Sequence, residues 1–311
     1  MVETNTHPAM GPAIAAGATH EICELDVPVH YARWEGPDER TFVLLHGLGG
    51  SHVNWLPVAP TLAELGTTIA VDLPGAGTTP RGDARATLPA DRRLLSAFLS
   101  ERVGAPAILV GSSMGGGIAL LQAAAEPASV AGVVATASIW PPRWTSPASP
   151  VVTGTFLAYW GKRTGDAMMR MRFRTMSPER IVRLGLHLIA TDPDAIPRDV
   201  VRAQEITIEQ QRLDPDAGEA LLEGARSILG LYRRRGRFRA VLDRVDASGV
   251  PVLVVHGRDD AFVPFANAAR AAEDHPGWTF RTVPGVGHAP QLEWPERWLA
   301  EVRGWVSEAR L

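Results

Sequence analysis

Ala107-Ile108-Leu109-Val110 is a continuous apolar run that suits a strand covered on both faces, and Ile118–Ala125 is a run of small and apolar residues that suits a helix. Only Gly111-Ser112-Ser113-Met114-Gly115-Gly116-Gly117 lies between them. A strand that turns straight into a helix brings the two backbones together. The residues flanking the tip must then be nearly without side chains, and the residue at the tip is held in a strained conformation at a cost of about 1–3 kcal/mol. Gly111 and Gly115 meet that requirement around Ser113. For Ser112 the flanking residues would be Val110 and Met114, both too large. The turn therefore presents the Ser113 hydroxyl, and Ser112 reads as a turn residue.

The same alternation runs through the chain. Short apolar stretches predict strands at Ile22–Leu25, His30–Trp34, Thr41–His46, Thr67–Asp72, Pro106–Gly111, Val130–Ala137, Val250–His256 and Trp278–Val283. Helical patterns at Trp55–Leu65, Ala90–Arg102, Met114–Ala125 and Glu296–Ala309 fall between or after them. This order predicts an α/β fold with a doubly wound, mostly parallel sheet, whose chemistry gathers where loops leave the carboxyl ends of the strands. One interval breaks the rhythm. From Ala137 to Val250 the chain is far longer than the dozen or so residues that a helical crossover needs. It carries its own helix signals: Ser177-Pro178-Glu179, a start after Pro197, and the run Ala217–Tyr232. The expected organisation is a flexible N-terminal tail over 1–20, a core over 21–139 and 249–311, and a helical cap or lid inserted over 140–248.

Composition narrows the function classes. A net charge of −3 offers no electrostatic footprint for nucleic acid, and no basic stripe for anionic membranes. Cys23 is the one cysteine, which excludes an internal disulfide and a cysteine metal site; it reads as a small buried hydrophobe in the first strand. Met1–His20 has neither the basic nor the long apolar region of a secretory signal, and no uncharged apolar run reaches the roughly 20 residues of a membrane span. A cytoplasmic location is the expectation. The glycine-rich turns lack the lysine of a phosphate-binding loop and the spacing of a dinucleotide-binding one, and no metal-ligand cluster is visible in the sequence.

The Gly-x-Ser-x-Gly turn in its strand-turn-helix setting resembles the α/β-hydrolase superfamily, over most of the chain from about Leu25 to the end and excluding the cap. Two further turns carry the likeness: His46-Gly47-Leu48-Gly49-Gly50 after the third strand and Asp72-Leu73-Pro74-Gly75-Ala76-Gly77 after the fourth, the second read as structural. The resemblance implies that Ser113 is a nucleophile and that the backbone N–H groups of Leu48 and Met114 form an oxyanion hole. His46 reads as a turn-fixing hydrogen-bonder. Among nine histidines, His288 follows the last strand in Val283-Pro284-Gly285-Val286-Gly287-His288, where the family places its base. His256, at the end of a buried strand, reads as a packed side chain. Gly257-Arg258-Asp259-Asp260-Ala261-Phe262-Val263-Pro264 resembles the family's acid turn and implies Asp260 as the acid, with Asp259 as the alternative. The resulting order is Ser113, Asp260, His288.

These expectations amount to a serine hydrolase that cleaves a carboxylic ester, or a similar acyl bond, of a small and largely apolar substrate through an acyl-enzyme. The triad needs no metal and no cofactor. Carbon–carbon bond hydrolases, thioesterases and perhydrolases use the same residues. Carbon–carbon hydrolases often carry an aromatic residue after the histidine, where this chain has Ala289. A ligand sensor that hydrolyses slowly is a further alternative, distinguished by turnover. Trp140, Trp144, Phe156, Tyr159 and Trp160 form an aromatic stretch at the start of the cap and are candidate substrate contacts, against the reading that they are the cap's own core. The expected partner is a small molecule, bound by a monomer or a homodimer.

Overall fold

The computed structural model describes residues 17–37, 40–143, 145–212 and 217–311. They form an eight-stranded sheet of β1 (Thr19–Glu24), β2 (Pro28–Trp34), β3 (Thr41–Leu45), β4 (Thr67–Val71), β5 (Ala107–Ser112), β6 (Val130–Thr136), β7 (Val252–Gly257) and β8 (Thr279–Val283). The spatial order is β1-β2-β4-β3-β5-β6-β7-β8; β1 and β2 form an antiparallel edge, and β2 meets β4 antiparallel. Every other pairing is parallel. All eight predicted strands are present, with ends displaced by a few residues. The largest shift is at β1, which begins at Thr19, inside the stretch read as tail.

The helices are α1 (Ala59–Leu62), α2 (Leu88–Phe98), α3 (Met114–Ala125), α4 (Pro150–Trp160), α5 (Lys162–Thr175), α6 (Pro178–Ile189), α7 (Arg198–Gln211), α8 (Ala217–Arg233), α9 (Arg235–Ser248), α10 (Phe265–Asp274), α11 (Pro290–Glu293) and α12 (Pro295–Glu308). No helix among the described residues is long and apolar enough to cross a membrane. Side chains alternate across each central strand and build two cores. Val43, Leu45, Leu109 and Val254 face the layer of α2, α3 and α9, whereas Phe42, Leu44, Val110 and Val255 face Trp55, α1 and α12. Such two-sided burial explains why β5 and β7 are apolar at nearly every position.

Two departures have local causes. The helix expected over Trp55–Leu65 is a 3-10 turn, His52–Trp55, followed by the short α1, because Pro57 and Pro60 interrupt the pattern. Helices α4 to α8 lie between β6 and β7 as an inserted cap, and α6 starts as its sequence signal predicts, with Ser177 accepting from the Arg180 N–H. The final helix of that interval behaves differently. α9 lays Phe238, Val241, Leu242 and Val245 onto the core that α3 also covers, so it is a crossover helix of the sheet.

Candidate active site

Ser113 joins β5 to α3 at φ 53° and ψ −114°, a left-handed conformation that disfavours any side chain. The neighbouring glycines are required by contact. A Cβ on Gly111 would sit 2.4 Å from the Gly115 backbone, and one on Gly115 would sit 2.1 Å from the Leu45 carbonyl oxygen. The strand, the turn and the helix are thus pressed together with Ser113 at the tip, as the sequence pattern predicts. Ser112 is the last residue of β5, and its hydroxyl accepts from Gln291 Nε2 at 3.3 Å.

His288 Nδ1 lies 2.8 Å from Asp260 Oδ2. The other carboxylate oxygen, Oδ1, accepts the backbone N–H groups of Phe262 and Val263, each at 2.8 Å. His256 Nε2 approaches Oδ2 at 3.1 Å and the Val263 carbonyl at 2.9 Å. Burial by itself raises a carboxyl pKa, but here the adjacent His288 and His256 outweigh it and hold Asp260 below the usual carboxylate range. An ionised carboxylate can only accept, so His288 donates to it from Nδ1. Asp259 is exposed and takes no part in this network.

His46 behaves as a turn-fixing residue: its Nε2 accepts the Leu73 N–H at 3.0 Å, and its Nδ1 lies 2.8 Å from the Gly47 carbonyl. Buried away from water, its imidazole has a lowered pKa and stays neutral. A Cβ on Gly47 would come within 3.2 Å of Ser113 Cβ, so this loop lies directly against the serine. Met114 is the first residue of α3, where backbone N–H groups have no partner within the helix.

Ser113, His288, Leu48 and Met114 all line one cavity, which residues of α4 to α8 bound on the cap side. Its walls are mainly apolar and include Phe156, Tyr159, Leu186, Leu221 and Phe262. Two of the five aromatic candidates, Phe156 and Tyr159, therefore reach it. Trp140 does not: it is fully buried and packs on Trp278 with ring centroids 6.4 Å apart, as part of the core below the cap. Trp160 is also outside the cavity lining. One position beyond Tyr159 on the same helix it turns toward solvent, 43% exposed, with the Arg233 guanidinium over its ring. Trp144 lies outside the described residues.

Sequence reasoning passed over several contacts. His256 touches the acid and is more than a packed side chain. Phe262 stacks on His288 with centroids 4.7 Å apart, while its own N–H holds Asp260. The cap is tied to the site by backbone bonds, with His288 N–H donating to the Ile189 carbonyl at 2.6 Å and Ser149 N–H to the Ala261 carbonyl at 3.1 Å. Asp91, a buried carboxyl with an unpartnered Oδ1, lines the cavity; burial, then Glu223, push its pKa well up. The sequence also revealed no cluster of metal-ligating side chains, yet His30, His52 and Asp72 meet in the interior.

Comparison with known proteins agrees with this architecture. A family model described as "Alpha/beta hydrolase family" matches residues 42–302. The dihydrolipoyllysine-residue acetyltransferase component of the acetoin cleaving system of Cupriavidus necator is 30% identical over 89% of this chain, which spans 66% of that protein's length. Pimeloyl-[acyl-carrier protein] methyl ester esterase of Neisseria meningitidis is 26% identical over 85% of this chain and 92% of its own. Among solved structures, a haloalkane dehalogenase from Agrobacterium tumefaciens C58 superposes with a TM-score of 0.80, at 18% identity, over 96% of this chain and all of its own (100%). That likeness concerns the fold alone.

Proposed function

The chain belongs to the alpha/beta hydrolase family, and from that premise we propose that it is a serine hydrolase of carboxylic esters acting through an acyl-enzyme. Ser113 is the nucleophile, His288 the general base and Asp260 the acid that orients it. The observation that carries this reading is the 2.8 Å contact between His288 Nδ1 and Asp260 Oδ2, made beside a serine at positive φ in the same cavity.

Ser113 Oγ attacks the acyl carbon while its proton passes to His288 Nε2. Negative charge then develops on the former carbonyl oxygen, where the N–H groups of Leu48 and Met114 stabilise it. Each such donor is worth roughly 3 kcal/mol in a serine protease of another fold. Asp260 stabilises the imidazolium, which gives its proton to the departing alkoxide. Water, deprotonated by His288, attacks the acyl-enzyme, and the imidazolium returns that proton to Ser113 Oγ as the acid leaves. The dehalogenase resembles this chain in fold, but the residue at the turn here is a serine, whose oxygen suits acyl transfer. The methyl ester esterase among the relatives supports an ester over other acyl bonds. The apolar walls around Phe156, Leu186 and Leu221 support a small, largely apolar substrate.

The test is a panel of aryl and alkyl esters of graded acyl length, with thioesters, lactones and vinylogous diketones, run on wild type and Ser113→Ala. Repeated turnover of short apolar esters, lost in the variant, is expected. Preferred cleavage of the diketones would replace the ester reading with carbon–carbon hydrolysis. A single stoichiometric event would mean a sensor.

A further inference from the structure

A second set of titratable side chains is gathered outside the cavity, where β1, β2 and the end of β4 meet the 3-10 turn that follows the His46–Gly50 loop. Asp72 is fully buried at its centre. His52 Nδ1 lies 3.0 and 2.9 Å from its two oxygens, and His30 Nδ1 lies 2.9 Å from Oδ2. The backbone N–H groups of His52 and Thr78 also donate to the carboxylate, at 2.7 and 3.1 Å. His20 stacks on His30, its Nδ1 2.9 Å from His30 Nε2. The three imidazole centroids are 5.0, 5.1 and 5.5 Å apart in pairs. The Gly77 backbone is pressed against the carboxylate, since a Cβ there would sit 2.0 Å from Asp72 Oδ2.

We propose that His30, His52 and Asp72 form a structural site for a divalent transition metal of the zinc type, with His20 as the hydrogen-bond partner that orients His30. Nitrogen donors with one carboxylate are the ligand set of such ions. One donor atom from each of His30, His52 and Asp72 falls within 4.8 Å of the others. A tetrahedral ion with bonds of about 2.0–2.1 Å holds its donors roughly 3.3 Å apart, so the 2.9 Å contacts need to open by only a few tenths of an ångström.

Charge and proton positions favour the same ligand. The wholly buried Asp72 carboxylate, already met by the N–H groups of His52 and Thr78, gains a full opposite charge when a dication binds. To bind, each Nδ1 must present a lone pair, so its proton moves to Nε2. On His52 the shift gives up the Nδ1–H bonds to Asp72, which the ion replaces, and carries the proton to a buried Nε2 that has no hydrogen-bond partner. On His30, a protonated Nε2 donates to His20 Nδ1. The bound ion would clasp the β1–β2 edge and the end of β4 to the segment carrying Leu48. The Leu73 N–H bond to His46 extends that clasp to the loop itself.

The full-length protein, stripped with a chelator, is titrated with Zn²⁺ and separately with Co²⁺. Uptake of a single equivalent of Zn²⁺, a raised Tm and the strong visible absorption of tetrahedral Co²⁺ are expected. His30→Gln and His52→Gln should each weaken binding by more than roughly 10-fold, as should His20→Gln, whose place on the edge strand makes it the variant least liable to misfold. His288→Ala and His187→Gln should bind as wild type does. Wild-type protein with neither the Tm shift nor the tetrahedral spectrum overturns the site. So does a spectrum that survives His20→Gln, His30→Gln and His52→Gln unchanged, or one lost in His288→Ala, which would place the ion at the triad. X-ray absorption of the wild-type Zn²⁺ form should find two imidazoles and one carboxylate; fewer than two imidazoles also overturns it.

Discussion

Asp260 Oδ2 and His288 Nδ1 stand 2.8 Å apart although 28 positions separate them in the chain. The acid leaves the end of β7 and the histidine leaves the loop after β8, and the two strands are parallel neighbours paired from Leu253↔Thr279 to Gly257↔Val283. Parallel register places both loops at the same sheet edge, beside the end of β5 that carries Ser113. Asp260→Asn should therefore cut kcat on ester substrates by on the order of 10⁴-fold, whereas Asp259→Asn, altering an exposed side chain, should leave it nearly unchanged. Reversed ranking in steady-state kinetics would move the acid by one residue.

Ser113→Ala is expected to reduce hydrolysis of short aryl esters on the order of 10⁶-fold. Ser112→Ala, which removes only the hydroxyl that accepts from Gln291, should retain most of it. Equal activity in the two variants would refute the assignment of the turn.

The pH dependence of stability should contain two opposite contributions. Asp260 is held below the usual carboxylate range, so its contribution is complete above about pH 4 and is lost as the pH falls from there toward its native value. Asp91 is pushed the other way by burial and by Glu223. It stays protonated in the native protein while the unfolded chain ionises, so stability declines as the pH rises above about 4 toward the native value. Asp91→Asn should remove that decline and raise Tm at neutral pH. A thermal-denaturation series in which the variant is no more stable than wild type at neutral pH would contradict it.

His256 shares the Asp260 carboxylate, so His256→Phe should leave Oδ2 with one donor fewer. A hydrogen bond to a charged group contributes about 1.5–3 kcal/mol, and a loss of that order in chemical denaturation is expected. An unchanged unfolding midpoint would mean that His256 only fills space.

Glycine substitutions separate packing from backbone freedom. Gly115→Ala drives a Cβ to 2.1 Å from the Leu45 carbonyl oxygen and should prevent folding or cost more than about 4 kcal/mol. Gly154, on the exposed side of α4, has nothing within 4 Å of an added Cβ, so Gly154→Ala should stabilise by about 0.5–1 kcal/mol. Comparable unfolding free energies for both variants would show that the close approach at Gly115 is relieved by movement.

The sequence by itself determined what depends on near neighbours in the chain. Apolar runs and turn residues set the eight strands, because a strand buried on both faces must be apolar throughout. The small residues on either side of Ser113 determined the tip of the turn by steric need. Contacts between distant segments were decided only by the tertiary structure. Trp140 and Phe156 are both aromatic residues near the start of the cap, yet one is sealed against Trp278 and the other lines the cavity, because packing alone chooses the side. α9 looks like one more cap helix until its apolar face meets the core beside α3. His256 reaches the acid, and His20, His30 and His52 converge near Asp72, because sheet order brings β1, β2 and β4 together. The Gly111–Gly115 turn was legible as the seat of the serine. What the serine faces was settled by the cap folding over the carboxyl edge of the sheet.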